Sequence, residues 1–189
     1  MANADAAFGF RPVANDGGVF NGQTHLVSFP ATQGTAAYIG SVVKMDPAAA
    51  AGLNGSQSVT IATLGNPAYG VVVSFQADPN DLSLQYRKAS TLRFCQVARL
   101  ENQVFEVQES ANIGLAGVGF NASFSTGGGS TVTGFANTEL DSSTIAATNS
   151  LDLQVVGGVG RPDNDLTASN AVWLVRFNDS QGKQVRTGT

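Results

Sequence analysis

Three β-type runs in the middle of the chain constrain its fold more than any other feature of the sequence. Each run combines β-branched and aromatic residues and is bounded by turn-forming residues, which is typical of a strand. The runs occupy residues 69–75, 91–99 and 103–109. Only residues 100–102 join the last two runs, which predicts an antiparallel hairpin. In the first run, a period of two predicts one shared face for Tyr69, Val71, Val73 and Phe75.

The remainder of the chain repeats this alternation of short runs and turns. Further β-type runs lie at residues 23–29, 38–45, 58–64, 120–124, 130–135, 151–156 and 171–177. The glycines at 127–129 are predicted to form a hairpin loop, and the polar stretch 136–149 is predicted to be an exposed loop. Roughly nine or ten short strands with frequent turns predict an all-β fold, either an antiparallel β-sandwich or a barrel.

One or two very short helices are expected among these strands. Asp46 is a favourable N-cap, Pro47 suits the first helical position, and Gly52 follows four alanines. The sequence therefore predicts one or two helical turns after Asp46. Residues 112–118 are predicted to form a brief helical or irregular turn.

The two ends of the chain differ from its middle. Residues 1–22 are rich in Ala, Asn, Asp and Gly and show no periodicity, which predicts an extended N-terminal arm. Residues 23–178 are predicted to form a single β-rich domain, and residues 179–189 a polar C-terminal tail. Because disordered segments are poor in aromatic residues, the arm's phenylalanines indicate that it docks on its own domain or on a neighbour. Deletion of residues 1–12 is expected to leave the fold intact.

Composition disfavours several classes of partner. Only 13% of the residues are charged, against about 25% in soluble domains, so Ser, Thr, Asn, Gln and Gly must supply much of the surface. The net charge is −4 and the ten basic residues are scattered, which disfavours nucleic-acid binding. No segment approaches the roughly 20 apolar residues that span a bilayer, so no membrane partner is expected. The first residues lack the pattern of a signal peptide.

The sequence offers little for catalysis or metal binding. His25 is the single histidine, and its place in an alternating run favours a packed residue over a general base. Cys95 is the single cysteine, so no intramolecular disulfide can form, and it is predicted to be a small buried hydrophobe. The acidic turns at 78–81 and 162–165 resemble Asx turns more than calcium loops. We therefore predict no catalytic, cofactor-binding or metal-ligating residue.

Several short segments together carry a family resemblance that covers nearly the whole chain. They are Met1-Ala2-Asn3, Phe8-Gly9-Phe10-Arg11-Pro12, residues 69–73, Asp78-Pro79, Asp81-Leu82, Gln85-Tyr86-Arg87, Ala89-Ser90-Thr91, residues 104–109, 119–122 and 139–143, Arg161-Pro162-Asp163-Asn164-Asp165 and residues 173–178. Together they resemble the head decoration, or cement, proteins of tailed bacteriophages, which are encoded near the major capsid gene.

The resemblance implies a β-rich homo-oligomer, most commonly a trimer, that clamps the outside of an icosahedral shell. The implied partner is the major capsid protein of a tailed phage, the implied location is the outer capsid surface of the virion, and synthesis is expected in the host cytoplasm. Candidate capsid or subunit contacts are Phe8, Phe10, Arg11 and Phe20 in the arm. One alternative is a carbohydrate-binding or adhesion module of a virion or tail. Another is a glycan-cleaving enzyme, which would need two carboxylates about 5–10 Å apart in a cleft.

Overall fold

A computed structural model describes residues 3–15, 17–46 and 55–181 of the chain. The strands are β1 (Arg11–Asn15), β2 (Gly18–Val19), β3 (His25–Phe29), β4 (Val42–Met45), β5 (Gln57–Ile61), β6 (Gly70–Phe75), β7 (Arg93–Arg99), β8 (Gln103–Gln108), β9 (Asn121–Ala122), β10 (Leu153–Gly158) and β11 (Val172–Phe177). Short 3₁₀ turns occupy Leu115–Gly117 and Ser142–Thr144. No α-helix occurs in the described ranges, which confirms the predicted all-β class. The helical turns predicted after Asp46 lie outside the described residues.

Five strands close into a barrel in the order β3-β5-β4-β6-β7, with β7 returning to β3. The β3–β5 pair is parallel, whereas the other barrel neighbours pair antiparallel. The interior is filled by buried side chains that alternate along the strands: Val27, Phe29, Val43, Val59, Val72, Cys95 and Val97. Barrel closure leaves these five strands without an open edge.

A six-stranded antiparallel sheet in the order β2-β1-β8-β11-β10-β9 packs against the outside of the barrel. Phe105 and Val107 on β8, and Trp173 and Val175 on β11, are fully buried, as the predicted alternation requires. They share one apolar cluster with outward-facing barrel residues such as Val71. Because both layers contribute to this core, the barrel and the sheet form one packed unit.

The segment predicted to be an arm contributes strands to this sheet. Strand β1 pairs with β8, and β2 pairs with β1. Phe10, which precedes β1, is 2% exposed, and its backbone N–H donates to the carbonyl oxygen of Gly40 at 3.0 Å. The predicted boundary at residue 22 therefore does not coincide with a structural boundary. We call residues 3–8, which run outside the strands, the N-terminal strap.

The N-terminal strap is held to its own domain by polar contacts. Asn3 Nδ2 donates to the carbonyl oxygen of Asp165 at 2.9 Å, and the Asp165 N–H donates back to Asn3 Oδ1 at 2.8 Å. Gln108 Nε2 donates to the Ala4 carbonyl at 2.8 Å, and the Ala6 N–H donates to Gln108 Oε1 at 3.0 Å. At the other end of the chain, the Gln181 N–H donates to the Ala68 carbonyl, so the first residues of the predicted tail also contact the domain.

The hairpin predicted across residues 100–102 is wrong. Strand β7 pairs with β3 and β6 in the barrel, whereas β8 pairs with β1 and β11 in the sheet. Both edges of β7 are already occupied, so β8 has no free edge to join. Asn102 adopts a positive φ of 58°, which turns the chain from one layer to the other.

The single face predicted for the first central run is also wrong. Val71 and Val73 contact the core shared with the sheet, whereas Tyr69 and Phe75 contact the barrel interior. A register shift between residues 72 and 74 interrupts the period of two. Strand β6 is buried on both faces, so hydrophobicity alone does not reveal which side a residue occupies.

The glycines at 127–129 lie in the arm of a hairpin and do not form its tip. Phe124 pairs with Leu140 and Gly129 with Ala136, while residues 130–135 make the turn. A Cβ at Gly129 would lie 2.2 Å from Cγ of Tyr38, so the glycine permits a close approach to that ring.

The prediction of an exposed loop over 136–149 is wrong at its start, because residues 136, 138 and 140 are buried.

Candidate functional site

The four candidate interface residues of the N-terminal segment lie in different environments. Phe10 lies among three other phenylalanine rings, and its centroid is 5.1 Å from that of Phe177 and 5.8 Å from that of Phe124. Phe105 meets it edge-on at 6.3 Å. A ring enclosed in this way stabilises the domain and is not accessible to a partner.

Arg11 and Phe8 form a pair at the surface. The guanidinium carbon of Arg11 lies 4.6 Å from the centroid of the Phe8 ring, and its Nη1 lies 3.6 Å from Glu106 Oε2. The Arg11 side chain is 53% exposed. Phe20 is half-buried against the larger core cluster. A partner can therefore reach Arg11 most readily, the half-buried Phe8 and Phe20 only in part, and Phe10 not at all.

Arg87 is fully buried and organises the loops at one end of the barrel. Its guanidinium donates to four backbone carbonyls, those of Pro30, Gln33, Thr35 and Thr91, at 2.5 to 2.8 Å. Burial lowers the pKa of Arg87 from its ordinary value. The carbonyl oxygens replace water as acceptors, so the charge is solvated by the backbone.

Arg93 fixes the neighbouring loop in the same way. It is 7% exposed, and its guanidinium donates to the carbonyl oxygens of Gln76, Leu84 and Tyr86. Within that loop, Asp81 Oδ1 accepts from the hydroxyl and the N–H of Ser83. The hydroxyl bond holds the pKa of Asp81 below its ordinary value. The base of the loop is thus ordered by a buried cation.

Two ordered loops present apolar side chains to solvent at this end of the molecule. Leu82 is 81% exposed in one loop, while Val132 is 87% and Phe135 39% exposed in the other. The loops touch, since a Cβ at Gly134 would lie 2.7 Å from the Cβ of Gln85. We call the surface formed by Leu82, Val132 and Phe135 the apolar loop end.

A groove of about 490 Å³, lined by both polar and apolar side chains, lies between the barrel and the hairpin of residues 124–140. We call it the threonine groove after five lining residues, Thr35, Thr60, Thr63, Thr126 and Thr138. Lys44 also lines it, and none of the lining residues within the described ranges is acidic. Its volume falls within the roughly 300–1,000 Å³ common for small-molecule sites.

The single histidine lies in a smaller polar pocket. His25 Nδ1 is 3.4 Å from the Tyr69 hydroxyl, and Arg99, Glu101 and Gln103 line the same pocket. Arg99 Nε donates to Glu101 Oε2 at 2.9 Å. Arg99 and Glu101 thus form an ion pair, and the half-buried His25 lies beside it in the pocket.

Cys95 contributes to the barrel core, and the acidic turns are held by local hydrogen bonds. Cys95 is fully buried in the barrel, as predicted, and burial raises the pKa of its thiol to about 12. Asp78 Oδ1 accepts from the Asn80 N–H, and Asp165 Oδ1 accepts from the Thr167 N–H and hydroxyl, which confirms the Asx-turn interpretation.

In the described part of the chain, no three His, Cys, Asp or Glu side chains converge as metal ligands. No helix there is long and apolar enough to cross a membrane.

Glu109 is a buried acid that links β8 to two loops. Its carboxylate accepts from the Ile113 N–H at 2.8 Å and from the Ala171 N–H at 3.2 Å. Burial nevertheless raises the pKa of Glu109 above its ordinary value, because these bonds only partly offset the loss of water. The folded state therefore binds a proton at Glu109 more readily than the unfolded state does.

Glu109→Gln should alter the pH dependence of stability. A raised folded pKa means that the contribution of Glu109 is fully present below its ordinary pKa of 4.5 and is lost as pH rises through the folded pKa. The free energy of unfolding of the wild type, relative to Glu109→Gln, should thus increase as pH falls from 7 towards 4.5. Urea denaturation of both proteins at matched pH values measures this difference. A pH-independent difference would contradict the assignment.

The comparisons with known proteins give this chain no relatives. No protein-family model matches it, and neither a curated protein nor a solved structure is significantly similar to it. Functional inference therefore depends on the surfaces and the groove described above.

Three of these features escaped prediction from the sequence. Arg87 lies in a turn-rich, polar segment and Arg93 near the start of a β-type run, and arginine is normally exposed in both settings. The threonine groove joins residues that are far apart in the chain, and threonine is equally common in strands without any site. For the apolar loop end, the sequence offered one signal, because Leu82 is a large apolar residue within a polar turn.

Proposed function

We propose that this chain is a structural protein of a tailed-phage head that binds the outer surface of the major capsid protein shell and stabilises it. In this role it acts as a homo-oligomer, most simply a trimer. The resemblance of its sequence segments to head decoration proteins suggests the partner. The observation that carries the proposal is the apolar loop end, where ordered loops expose Leu82, Val132 and Phe135.

Exposure on ordered loops favours binding for two physical reasons. Apolar side chains in water gain free energy when a partner covers them, about 1.5–3 kcal/mol for each fully buried aliphatic residue. The loop that carries Leu82 is already fixed by the buried Arg93, so it loses little further conformational entropy on binding. On a shell with many copies, modest contacts would also act collectively.

Leu82→Ser combined with Val132→Ser should weaken binding to shells of the cognate major capsid protein at least about tenfold, since loss of 1.4 kcal/mol already has that effect. Sedimentation with purified shells gives the occupancy as a function of concentration. Both side chains are more than four-fifths exposed, so the variant should remain folded.

Leu115→Ser is the matched control, because Leu115 is 60% exposed in a 3₁₀ turn outside the apolar loop end. It should bind shells as the wild type does. Wild-type occupancy by the double variant would contradict the assigned surface, and a wild-type protein that never binds shells would contradict the function itself. Native mass spectrometry of the free protein tests the trimer.

A further inference from the structure

Two elements form the walls of the threonine groove, and the alternation of side chains along the barrel strands determines which of their residues face it. On β4 and β5, Val43 and Val59 face the barrel interior, so the paired residues Lys44 and Thr60 face outward. The opposite wall is the hairpin of residues 124–140, which contributes Thr126 and Thr138. The result is a groove between two β-elements, lined by these polar side chains and by apolar ones such as Val42 and Ile61.

Several hydrogen-bonding groups in this groove remain unused by the protein. Thr138 is only 4% exposed, yet its hydroxyl makes no hydrogen bond to any residue in the described ranges. The hydroxyls of Thr35 and Thr126 likewise make none there, whereas Thr60 Oγ1 donates to Gln33 Oε1 at 2.6 Å. An unpartnered hydroxyl on a groove-lining residue that is otherwise buried is a favourable position for a ligand's polar atom.

The groove also carries a positive charge. Lys44 is the charged side chain among the lining residues, and it forms no ion pair within the part of the chain that the structure describes. The groove thus offers one positive charge beside several neutral donors and acceptors. That pattern complements a ligand that combines carboxylate and hydroxyl groups.

Aromatic ligands fit this groove poorly. Tyr38 lines it, but Tyr86 stacks on the ring at 5.1 Å with an interplanar angle of 14°. Gly129 also packs closely against the Tyr38 ring. With the Tyr38 ring covered by these neighbours, and Phe124, the other aromatic among the described lining residues, only 3% exposed, the groove offers no open aromatic face for stacking.

We propose that the threonine groove binds an acidic saccharide. The sugar carboxylate pairs with the Lys44 ammonium, and ring hydroxyls bond to Thr126 and Thr138. The lining residues that the structure describes include no carboxylate, so the proposed role is binding, without the paired acids of a glycosidase. The site is separate from the apolar loop end and does not depend on the capsid proposal.

Titration with digalacturonic acid, followed by calorimetry or by chemical shifts of groove residues, tests the proposal. We expect saturable binding in the millimolar range, weakened about tenfold by Lys44→Met through loss of one charge-assisted bond. Thr138→Val should weaken binding severalfold without lowering the melting temperature, because the hydroxyl has no protein partner to lose. Lys88→Met, at an exposed lysine paired with Asp81, is the matched control and should bind normally.

Two comparison ligands separate the contributions to binding. A neutral disaccharide, galactobiose, should bind about as weakly to the wild type as digalacturonic acid binds to Lys44→Met. Sodium sulfate should not compete at equal concentration. Absence of saturable digalacturonate binding, full affinity in Lys44→Met, or equal competition by sulfate would each overturn the proposal.

Discussion

Phe10→Ala is expected to lower the free energy of unfolding by about 3–5 kcal/mol, the usual cost of removing a buried phenylalanine side chain. The ring contacts Phe105, Phe124 and Phe177, which come from β8, the hairpin and β11. Its loss would therefore leave a cavity where three elements meet. Since a domain is stable by only about 5–15 kcal/mol, this is a large fraction of the total. Guanidinium denaturation followed by fluorescence of the buried Trp173 measures the change.

Phe8→Ala is the matched control, two residues away in the same segment. Phe8 is half-buried against the Arg11 guanidinium, so its replacement should cost much less. Deletion of residues 1–7 should leave a folded protein that lacks the bonds of the N-terminal strap, whereas deletion of residues 1–12 should prevent stable folding. The structure thus reverses the expectation that residues 1–12 are dispensable. Equal stability of Phe8→Ala and Phe10→Ala would refute the docking of this segment.

Arg87→Met should destabilise the protein at least as much as Phe10→Ala. The change removes the partner of four backbone carbonyls in a fully buried site, and each unsatisfied buried acceptor costs about 1–3 kcal/mol. We expect a loss of at least about 3–5 kcal/mol, or failure to fold. Thermal unfolding by circular dichroism, or the soluble yield where no folded protein remains, gives the result.

Arg87→Lys separates charge from geometry. Lysine keeps the charge but has three donors on one nitrogen, so it cannot reproduce the planar fork that reaches four carbonyls. Its stability should fall between those of the wild type and Arg87→Met. Lys88→Met, at the next residue, is the control, and at an exposed side chain it should change stability by less than about 0.5 kcal/mol. A stability of Arg87→Met close to that of Lys88→Met would contradict the role assigned to Arg87.

The sequence predicted those strands whose two faces differ. On β8 and β11 one face is buried and the other is more polar, so the period of two identified Phe105, Val107, Trp173 and Val175. The same reasoning failed on β6, because a strand between two cores is apolar on both faces. It also failed for residues 100–102, since a short connection does not reveal whether the strands it joins share a layer.

The candidate site was less predictable than the fold. Apolar content correctly indicated that the N-terminal segment docks, but it could not distinguish the core residue Phe10 from the surface pair of Phe8 and Arg11. The threonine groove depends on Lys44 and Thr138 meeting across two elements. Such a juxtaposition follows from topology, and local sequence patterns do not encode it.

The order of strands also determines when each part of the chain can fold during synthesis. The barrel uses a contiguous stretch, from β3 to β7, so its strands can pair as soon as residue 99 has left the ribosome. Strand β1 must wait for β8, and Phe10 waits for Phe177 at the far end of the chain. Such distant pairings make folding slow. The N-terminal segment is therefore made before the barrel but is among the last parts to be buried, and until then its phenylalanines are exposed to solvent and to chaperones.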